Sequence, residues 1–202
     1  MTEIDATRTR LLDATLEVLG SQGVAGATSR QIAGAAGVNL QAITYHFGSK
    51  DALVAQALVH AVRHWLAPAR EALASVSADP IGGLVAAVFA LQHSLDQARA
   101  YVPAYVEALA TATRNEDVRR EIVTMLREVR DDLAAQIREL AGTGLVADWV
   151  DPEAIAALLV AAGDGLVVHS TLDPERYDLD RSLGQVVQVL LAASTVRPDD
   201  EG

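Results

Sequence analysis

The stretch Thr28–Lys50, TSRQIAGAAGVNLQAITYHFGSK, constrains the fold of this chain more than any other. Thr28 and Gln31 have the T-x-x-Q spacing of a capping box, which predicts that a helix starts at Thr28. Gly37 can adopt the positive φ that turns a chain without strain, and Asn39 is a good N-cap for a second helix. The pattern therefore predicts two short helices joined by a tight turn.

The spacing of three further features suggests what this helix pair does. Ala33 is small where the two helices would cross, Gly37 turns the chain, and Ile43 points back into the core. This is the spacing of a helix-turn-helix, whose second helix, here about 39–46, lies in the DNA major groove. An ordinary αα-hairpin with a glycine turn would contain the same three residues, so these positions alone leave both interpretations open.

The residues that follow favour the DNA-binding interpretation. Tyr45–Leu53, YHFGSKDAL, resembles the YHF-x-S-K-x-x-L pattern that ends the DNA-binding domain of TetR-family transcriptional repressors. Arg10–Ala14, Gly23 and residues 28–38 are also similar to that family, so the resemblance covers residues 8–53. It implies a homodimer that binds double-stranded operator DNA, with a pocket for a small-molecule effector among the later helices.

The distribution of charge is compatible with a nucleic-acid partner. The net charge of −11 argues against one at first, but residues 1–50 contain four acidic and four basic side chains and balance to zero. Lys50 is the only lysine in the sequence. The DNA-facing segment is thus the least acidic part, and we expect a shallow salt dependence compared with a strongly basic binder.

The fold class predicted for the whole chain is all-α. We expect an N-terminal three-helix helix-turn-helix domain, residues 1–48, plus a C-terminal helical bundle of about six helices, residues 49–202, homodimeric through a four-helix interface. Gly20 and Gly23 should end the first helix, Pro68 should kink or end the fourth, and Asp180 can cap the ninth, over about 181–194. The chain lacks cysteine, a signal peptide and an uncharged membrane-length segment, so we expect a cytoplasmic protein with no membrane association and no cofactor.

The last two predicted helices carry more apolar residues than one helix face can bury. A two-fold interface explains this excess, and a central position in a monomer core is the alternative. The predicted interface residues are Leu158, Leu159, Ala162, Leu166, Val186, Val187 and Leu190.

Candidate DNA contacts come from both helices of the motif and the junction after them. Arg30, Gln41 and Asn39 are the best base readers, because Arg suits guanine and Gln suits adenine. The remaining candidates can bind phosphates or face the groove: Thr28, Ser29, Ala42, Thr44, Tyr45, His46 and Lys50. Tyr45 and His46 have an alternative role, which is to pack the second helix of the motif onto the helix that follows.

Candidate ligand contacts are aromatic and polar residues of the fourth to seventh helices, which also fit a plain core. They are Trp65, Phe89, His93, Tyr101, Tyr105 and Met125, and their few charges favour a largely apolar small molecule. His60 and His64 have the spacing of a metal pair but no carboxylate nearby, so we predict no metal site. The runs 119–121 and 127–132 are expected to form a solvated helix face.

Two other functional classes remain as alternatives. One is a helical small-molecule sensor that does not bind DNA, and the other is a small α-helical enzyme acting on an apolar substrate. The sequence contains no Gly-rich phosphate loop, no G-x-S-x-G motif and no cluster of carboxylates with His, so we predict no catalytic residues.

Overall fold

The computed structural model describes residues 3–74, 80–144, 146–147, 149–178, 181–182, 184–185 and 188, and these residues form helices and connecting turns with no strand. The all-α prediction is confirmed. A 3₁₀ turn, Arg99–Tyr101, precedes the sixth helix. The helices are α1 Glu3–Gly26, α2 Ser29–Ala35, α3 Gln41–Phe47, α4 Lys50–Ala74, α5 Pro80–Ala98, α6 Val102–Ala112, α7 Glu116–Gly142 and α8 Pro152–Leu172.

Side-chain caps begin several of these helices. Asn115 Oδ1 accepts hydrogen bonds from the backbone N–H groups of Asp117 (3.1 Å) and Val118 (3.2 Å) at the start of α7. Asp151 Oδ1 accepts one from the Ala154 N–H at 3.0 Å, and Pro152 follows at the first helical position. These helix starts could be predicted from the sequence because each depends on residues within one turn.

The cap predicted at Asp180 lies outside the described residues. Among the described residues, Asp178 Oδ1 accepts a hydrogen bond from the Arg181 N–H at 3.0 Å. Most of the predicted ninth helix, including Val186, Val187 and Leu190, lies outside the described residues.

The first helix is longer than predicted because Gly20 does not end it. A Cβ at Gly20 would come within 3.2 Å of Tyr101 Oη, so this glycine makes room for a side chain from the 3₁₀ turn. Gly23 does interrupt the helix, with φ 68° and ψ −175°, and helical backbone resumes as far as Gly26.

Of the two outcomes predicted for Pro68, a kink or an end, the end is wrong, since α4 continues to Ala74. Proline removes one N–H donor, but its fixed φ near −65° is itself compatible with helical backbone. The loss of that single hydrogen bond is therefore tolerated within a helix of 25 residues.

The chain forms two compact units. The first comprises Met1–Trp65 and Ala98–Met125, and its most deeply buried large side chains include Leu11, Ile32, Leu53, Leu58 and Val118. The second comprises Leu66–Gln97 and Leu126–Gly202. Its buried cluster consists of Ala134, Ile137 and Ala156, against which Leu133, Val146, Val150, Ile155 and Leu159 pack.

The surface of α8 is unusually apolar. Leu158 is 64% exposed, Ala162 is exposed, and Leu159 and Leu166 are half-buried. By length and composition alone α8 could cross a membrane, but a helix of a soluble protein passes the same test, and Glu153 and Asp164 interrupt its apolar sequence.

Candidate nucleic-acid interface

The first unit contains the predicted helix-turn-helix, formed by α2 and α3. Thr28 Oγ1 accepts a hydrogen bond from the Gln31 N–H (3.3 Å), and Gln31 Oε1 accepts one from the Thr28 N–H (3.4 Å). This is the predicted capping box, now confirmed. Ala33 is buried, as expected for the residue at the helix crossing.

Gly37 forms the turn between the two helices with φ +64°. Its N–H donates to the Gly34 carbonyl (3.1 Å), and the Val38 N–H donates to the Ala33 carbonyl (3.0 Å). This pair of bonds is the Schellman arrangement, which satisfies carbonyls at the end of α2 and requires a left-handed residue at Gly37.

The second helix of the motif is capped at its N-terminal end and buried along its inner face. Asn39 Oδ1 accepts a hydrogen bond from the Ala42 N–H at 2.9 Å, so Asn39 acts as the predicted cap although regular helix begins at Gln41. Ile43 and Phe47 are buried. With its inner face held in this way, α3 presents its other side chains outwards.

The predicted DNA-contacting residues lie in α2 and α3, at the caps of these two helices and at the start of α4. Tyr45 is 76% exposed, and its ring meets the His46 ring edge-on at a centroid distance of 4.8 Å. A tyrosine this exposed does not pack α3 onto α4, so the alternative role fails for Tyr45. Thr28, Arg30, Asn39, Gln41 and Thr44 are also exposed, whereas Ser29, Ala42, His46 and Lys50 are half-buried.

The junction with α4 places Lys50 immediately after the motif. Gly48 turns the chain with φ +76°, and Ser49 Oγ accepts a hydrogen bond from the Ala52 N–H at 3.1 Å. Ser49 therefore caps α4 as predicted, and Lys50 is the first residue of that helix. The two-residue connection, Gly48 and Ser49, keeps the Lys50 backbone close to the end of α3.

Arg8 of α1 contacts the C-terminal end of α3 and was not among the DNA-binding residues predicted from the sequence. Its Nη1 donates to the His46 carbonyl oxygen at 3.2 Å, and its guanidinium carbon lies 4.7 Å from the centroid of the Phe47 ring. Its Nη2 donates to Gln56 Oε1 in α4. The only hint in the sequence is an arginine three residues before Leu11, where the apolar stripe of α1 begins. An arginine at such a position is equally compatible with a solvated side chain.

Glu121 of α7 extends this series of hydrogen bonds, because Gln56 Nε2 donates to Glu121 Oε1 at 3.1 Å. We call the series Arg8–Gln56–Glu121 the polar chain. Glu121 is half-buried, so the predicted solvated face of residues 119–121 is correct for Arg119 and Arg120 and wrong for Glu121. In the run 127–132, Asp132 is exposed and pairs with Arg70 at 2.9 Å.

The predicted ligand contacts divide between the two units. In the first unit, Trp65 and Tyr101 meet with ring centroids 5.0 Å apart, Tyr105 is half-buried, and Met125 is buried. In the second, Phe89 is 67% exposed, and the exposed His93 ring lies 2.8 Å from Gln97 Nε2.

The described part of the chain also contains a small crevice and a pair of histidines. A small crevice in the first unit lies among α1, α4, α6 and α7, and its lining includes Lys50, Asp51, Glu107 and Thr111. His60 and His64 are exposed, and the described residues contain no group of three or more His, Asp or Glu side chains that could hold a metal ion.

Comparison with known families accounts for both parts of the chain. Residues 11–57 match the family described as bacterial regulatory proteins, tetR family, and residues 80–194 match the BetI-type transcriptional repressor C-terminal domain. The chain belongs to the TetR family of transcriptional regulators. It is accordingly a DNA-binding regulator, and the helix-turn-helix described above is its DNA-binding motif. The members it matches are regulators and not enzymes.

Individual relatives resemble the chain over most of its length. The HTH-type transcriptional regulator BetI of Rhizobium meliloti (strain 1021) is 32% identical over 179 residues, which cover 87% of this chain and 83% of the relative. A transcriptional regulator from Rhodococcus sp. Rha1 is 29% identical, with a TM-score of 0.71 and coverage of 95% of this chain and 99% of the other. The multidrug binding protein EbrR, solved in complex with imidazole, is 28% identical, with a TM-score of 0.65 and coverage of 96% and 98%.

Proposed function

We propose that this TetR-family protein is a homodimeric repressor that occupies a palindromic operator and is released by a small, largely apolar molecule. The observation that carries the proposal is the surface of α2 and α3, where Arg30, Gln41 and Tyr45 are exposed on a motif whose inner face is buried and whose ends are capped.

Base reading is assigned to the longest polar side chains of that surface. Arg30 can donate two hydrogen bonds to guanine, and Gln41 can pair with adenine in the major groove, with Asn39 and Ala42 beside them. The other side chains position the protein on the phosphates: Thr28, Ser29, Thr44, Tyr45, His46 and Lys50. In a dimer, two α3 helices would enter successive major grooves about 34–36 Å apart.

The apolar surface of α8 supports the dimer. In the most apolar 18-residue stretch of α8, only 11% of the residues are buried within the single chain, and Leu158 is among the exposed residues. Apolar surface of this extent is stabilised by association with a second copy. We assign the interface to Leu158, Leu159, Ala162 and Leu166 of α8, together with the C-terminal residues Val186, Val187 and Leu190.

We assign effector binding to aromatic and polar residues of the regulatory domain, residues 49–202, and DNA binding to residues 1–48 together with Lys50. Trp65 and Tyr101 already provide one aromatic pair, and the relative EbrR is described as a multidrug binding protein. The remaining assigned contacts are Phe89, His93, Tyr105 and Met125. Release requires that the effector bind the DNA-free arrangement of the protein more tightly than the DNA-bound arrangement. For a typical allosteric protein this difference in binding free energy is about 1–3 kcal/mol. Such a regulator acts in the cytoplasm, where the operator is.

The proposal is tested by fluorescence anisotropy on a palindrome that the wild-type protein selects from a randomised duplex library. Lys50→Ala should weaken binding to every sequence and lower the salt slope by about 1, because it removes one phosphate contact. Gln41→Ala should cost about 1–3 kcal/mol and relax the preference at one base pair.

Arg120→Ala is the matched control for the loss of a positive charge, since Arg120 is exposed on α7 and pairs only locally with Asp117. It should leave both affinity and salt slope nearly unchanged. Failure of the wild-type protein to select any sequence, or equal binding of selected and scrambled duplexes at low salt, would rule out the repressor function.

A further inference from the structure

We infer that Arg8 is a positioning residue for DNA recognition, and that Gln56 and Glu121 hold it in place, so that the side chain at position 121 of α7 acts on the recognition helix α3. This inference rests on the proposed function, because it explains how the first unit orients the surface that reads the operator. It assigns a role to three residues that the DNA-binding motif itself does not contain.

The first step is the contact between Arg8 and the end of α3. The last carbonyls of a helix have no partner within it, and the C-terminal end of the helix dipole attracts a positive charge. Arg8 Nη1 meets the His46 carbonyl at 3.2 Å, and its guanidinium lies over the face of Phe47. One side chain of α1 therefore fixes both the backbone and the buried aromatic residue at the end of α3.

The second step is the orientation of the Gln56 amide. A primary amide has an acceptor end and a donor end, whereas a guanidinium can only donate and an ionised carboxylate can only accept. The Gln56 oxygen faces Arg8 and its nitrogen faces Glu121, so each partner receives the end it requires. With a donor at position 121 the amide would have to reverse, which would place its NH₂ group against the guanidinium of Arg8.

The third step is the location of Glu121 within α7. It is half-buried, unlike its neighbours Arg119 and Arg120, and it bonds to a residue 65 positions away. Met125, one turn further along α7 and buried, belongs to the proposed effector contacts. The polar chain Arg8–Gln56–Glu121 is therefore a direct connection from the helix that contributes Met125 to the end of the recognition helix.

The test compares Glu121→Lys with Glu121→Gln and with Glu139→Lys. Glu121→Gln retains an acceptor oxygen and should preserve the hydrogen bonds from Arg8 through Gln56 to position 121. Glu139→Lys changes the net charge by the same amount as Glu121→Lys, but at an exposed position of α7. Each variant is titrated with the selected palindrome and with a scrambled duplex of the same composition, and circular dichroism verifies that it is folded at the temperature used.

Glu121→Lys and Arg8→Met should each reduce the ratio of operator to scrambled-duplex affinity by at least about threefold, the lower part of the range for coupled neighbours. Glu121→Gln should remain near the wild-type ratio. Glu121→Lys should add little in a protein that already carries Gln56→Met, because that variant has no amide to reverse. A purely stabilising network would lower the melting temperature and leave the affinity ratio of the folded protein unchanged.

A second measurement needs no DNA. Amide hydrogen exchange in a peptide spanning residues 41–48 should be faster in Arg8→Met and Glu121→Lys than in the wild type, with exchange in α6 as the internal reference. Unchanged exchange in 41–48, or equal effects of Glu121→Lys and Glu139→Lys on the affinity ratio, would overturn the inference. A wild-type protein that selects no DNA sequence removes the proposed function, and the exchange data then decide separately whether position 121 acts on α3.

Discussion

Two glycines three residues apart, Gly34 and Gly37, should respond in opposite directions to the same substitution. Gly34 lies within α2 and is exposed, and a Cβ added there would meet no atom within 4 Å. Gly37 also has open space around it, but its φ is +64°. Contacts therefore play no part in the comparison, and only backbone conformation distinguishes the two sites.

The magnitudes follow from this geometry. Gly34→Ala should stabilise the protein by about 0.5–1 kcal/mol, because glycine within a helix is that much less favourable than alanine. Gly37→Ala introduces about 1–2 kcal/mol of left-handed strain and recovers about 0.4–1 kcal/mol from the less flexible unfolded chain. It should therefore destabilise the protein by roughly 1 kcal/mol, and Gly37→Asn should destabilise it less, because asparagine tolerates this conformation.

The assay is urea unfolding followed by circular dichroism at one fixed protomer concentration, since the stability of a dimer depends on concentration. Equal m-values would show that the variants differ in stability and not in the unfolded state. In thermal unfolding the two alanine variants should melt on opposite sides of the wild type, with about 2–4 °C for each kcal/mol in a chain of this size. Shifts of the same sign for both variants would refute the reasoning.

Three further variants test other parts of the structure. Asn115→Ala should lower stability by about 0.5–2 kcal/mol in the same unfolding assay, because it removes the cap that accepts two N–H groups of α7; an unchanged midpoint would contradict this. Ile32→Ala should cost about 2–5 kcal/mol, since this side chain is fully buried in the first unit, and operator binding should be lost near the new melting temperature. A double-mutant cycle on Arg138 and Glu153, an exposed pair 3.0 Å apart, should give a coupling free energy under about 1 kcal/mol, and a smaller one in high salt. A larger coupling would show that the pair is not simply solvated.

Local chemistry explains which features could be predicted from the sequence. The capping box of Thr28 and the turn at Gly37 are determined by residues within a few positions, so their patterns were sufficient. Gly20 shows the opposite case, because its neighbour is Tyr101, a residue far along the chain. A glycine that ends a helix and a glycine that admits a distant side chain look the same in the sequence.

The polar chain around Arg8 was missed for a related reason. Arg8, Gln56 and Glu121 each resemble ordinary surface residues when considered singly, and only the fold brings them together. The exposed surface of α3 could be predicted because one short helix contains it, whereas the support behind that helix is assembled from α1, α4 and α7.

Lys50 is a site for chemical modification on the proposed DNA-binding surface. As the only lysine, it carries the only side-chain amine that acylating reagents can modify, and it stands at the first position of α4 beside the recognition helix. The extent of its acylation, read by mass spectrometry, would report how much of the surface is covered by DNA without any engineered label. Acylation also removes the positive charge, so the modified protein serves as a chemically made counterpart of a charge-deleting mutant.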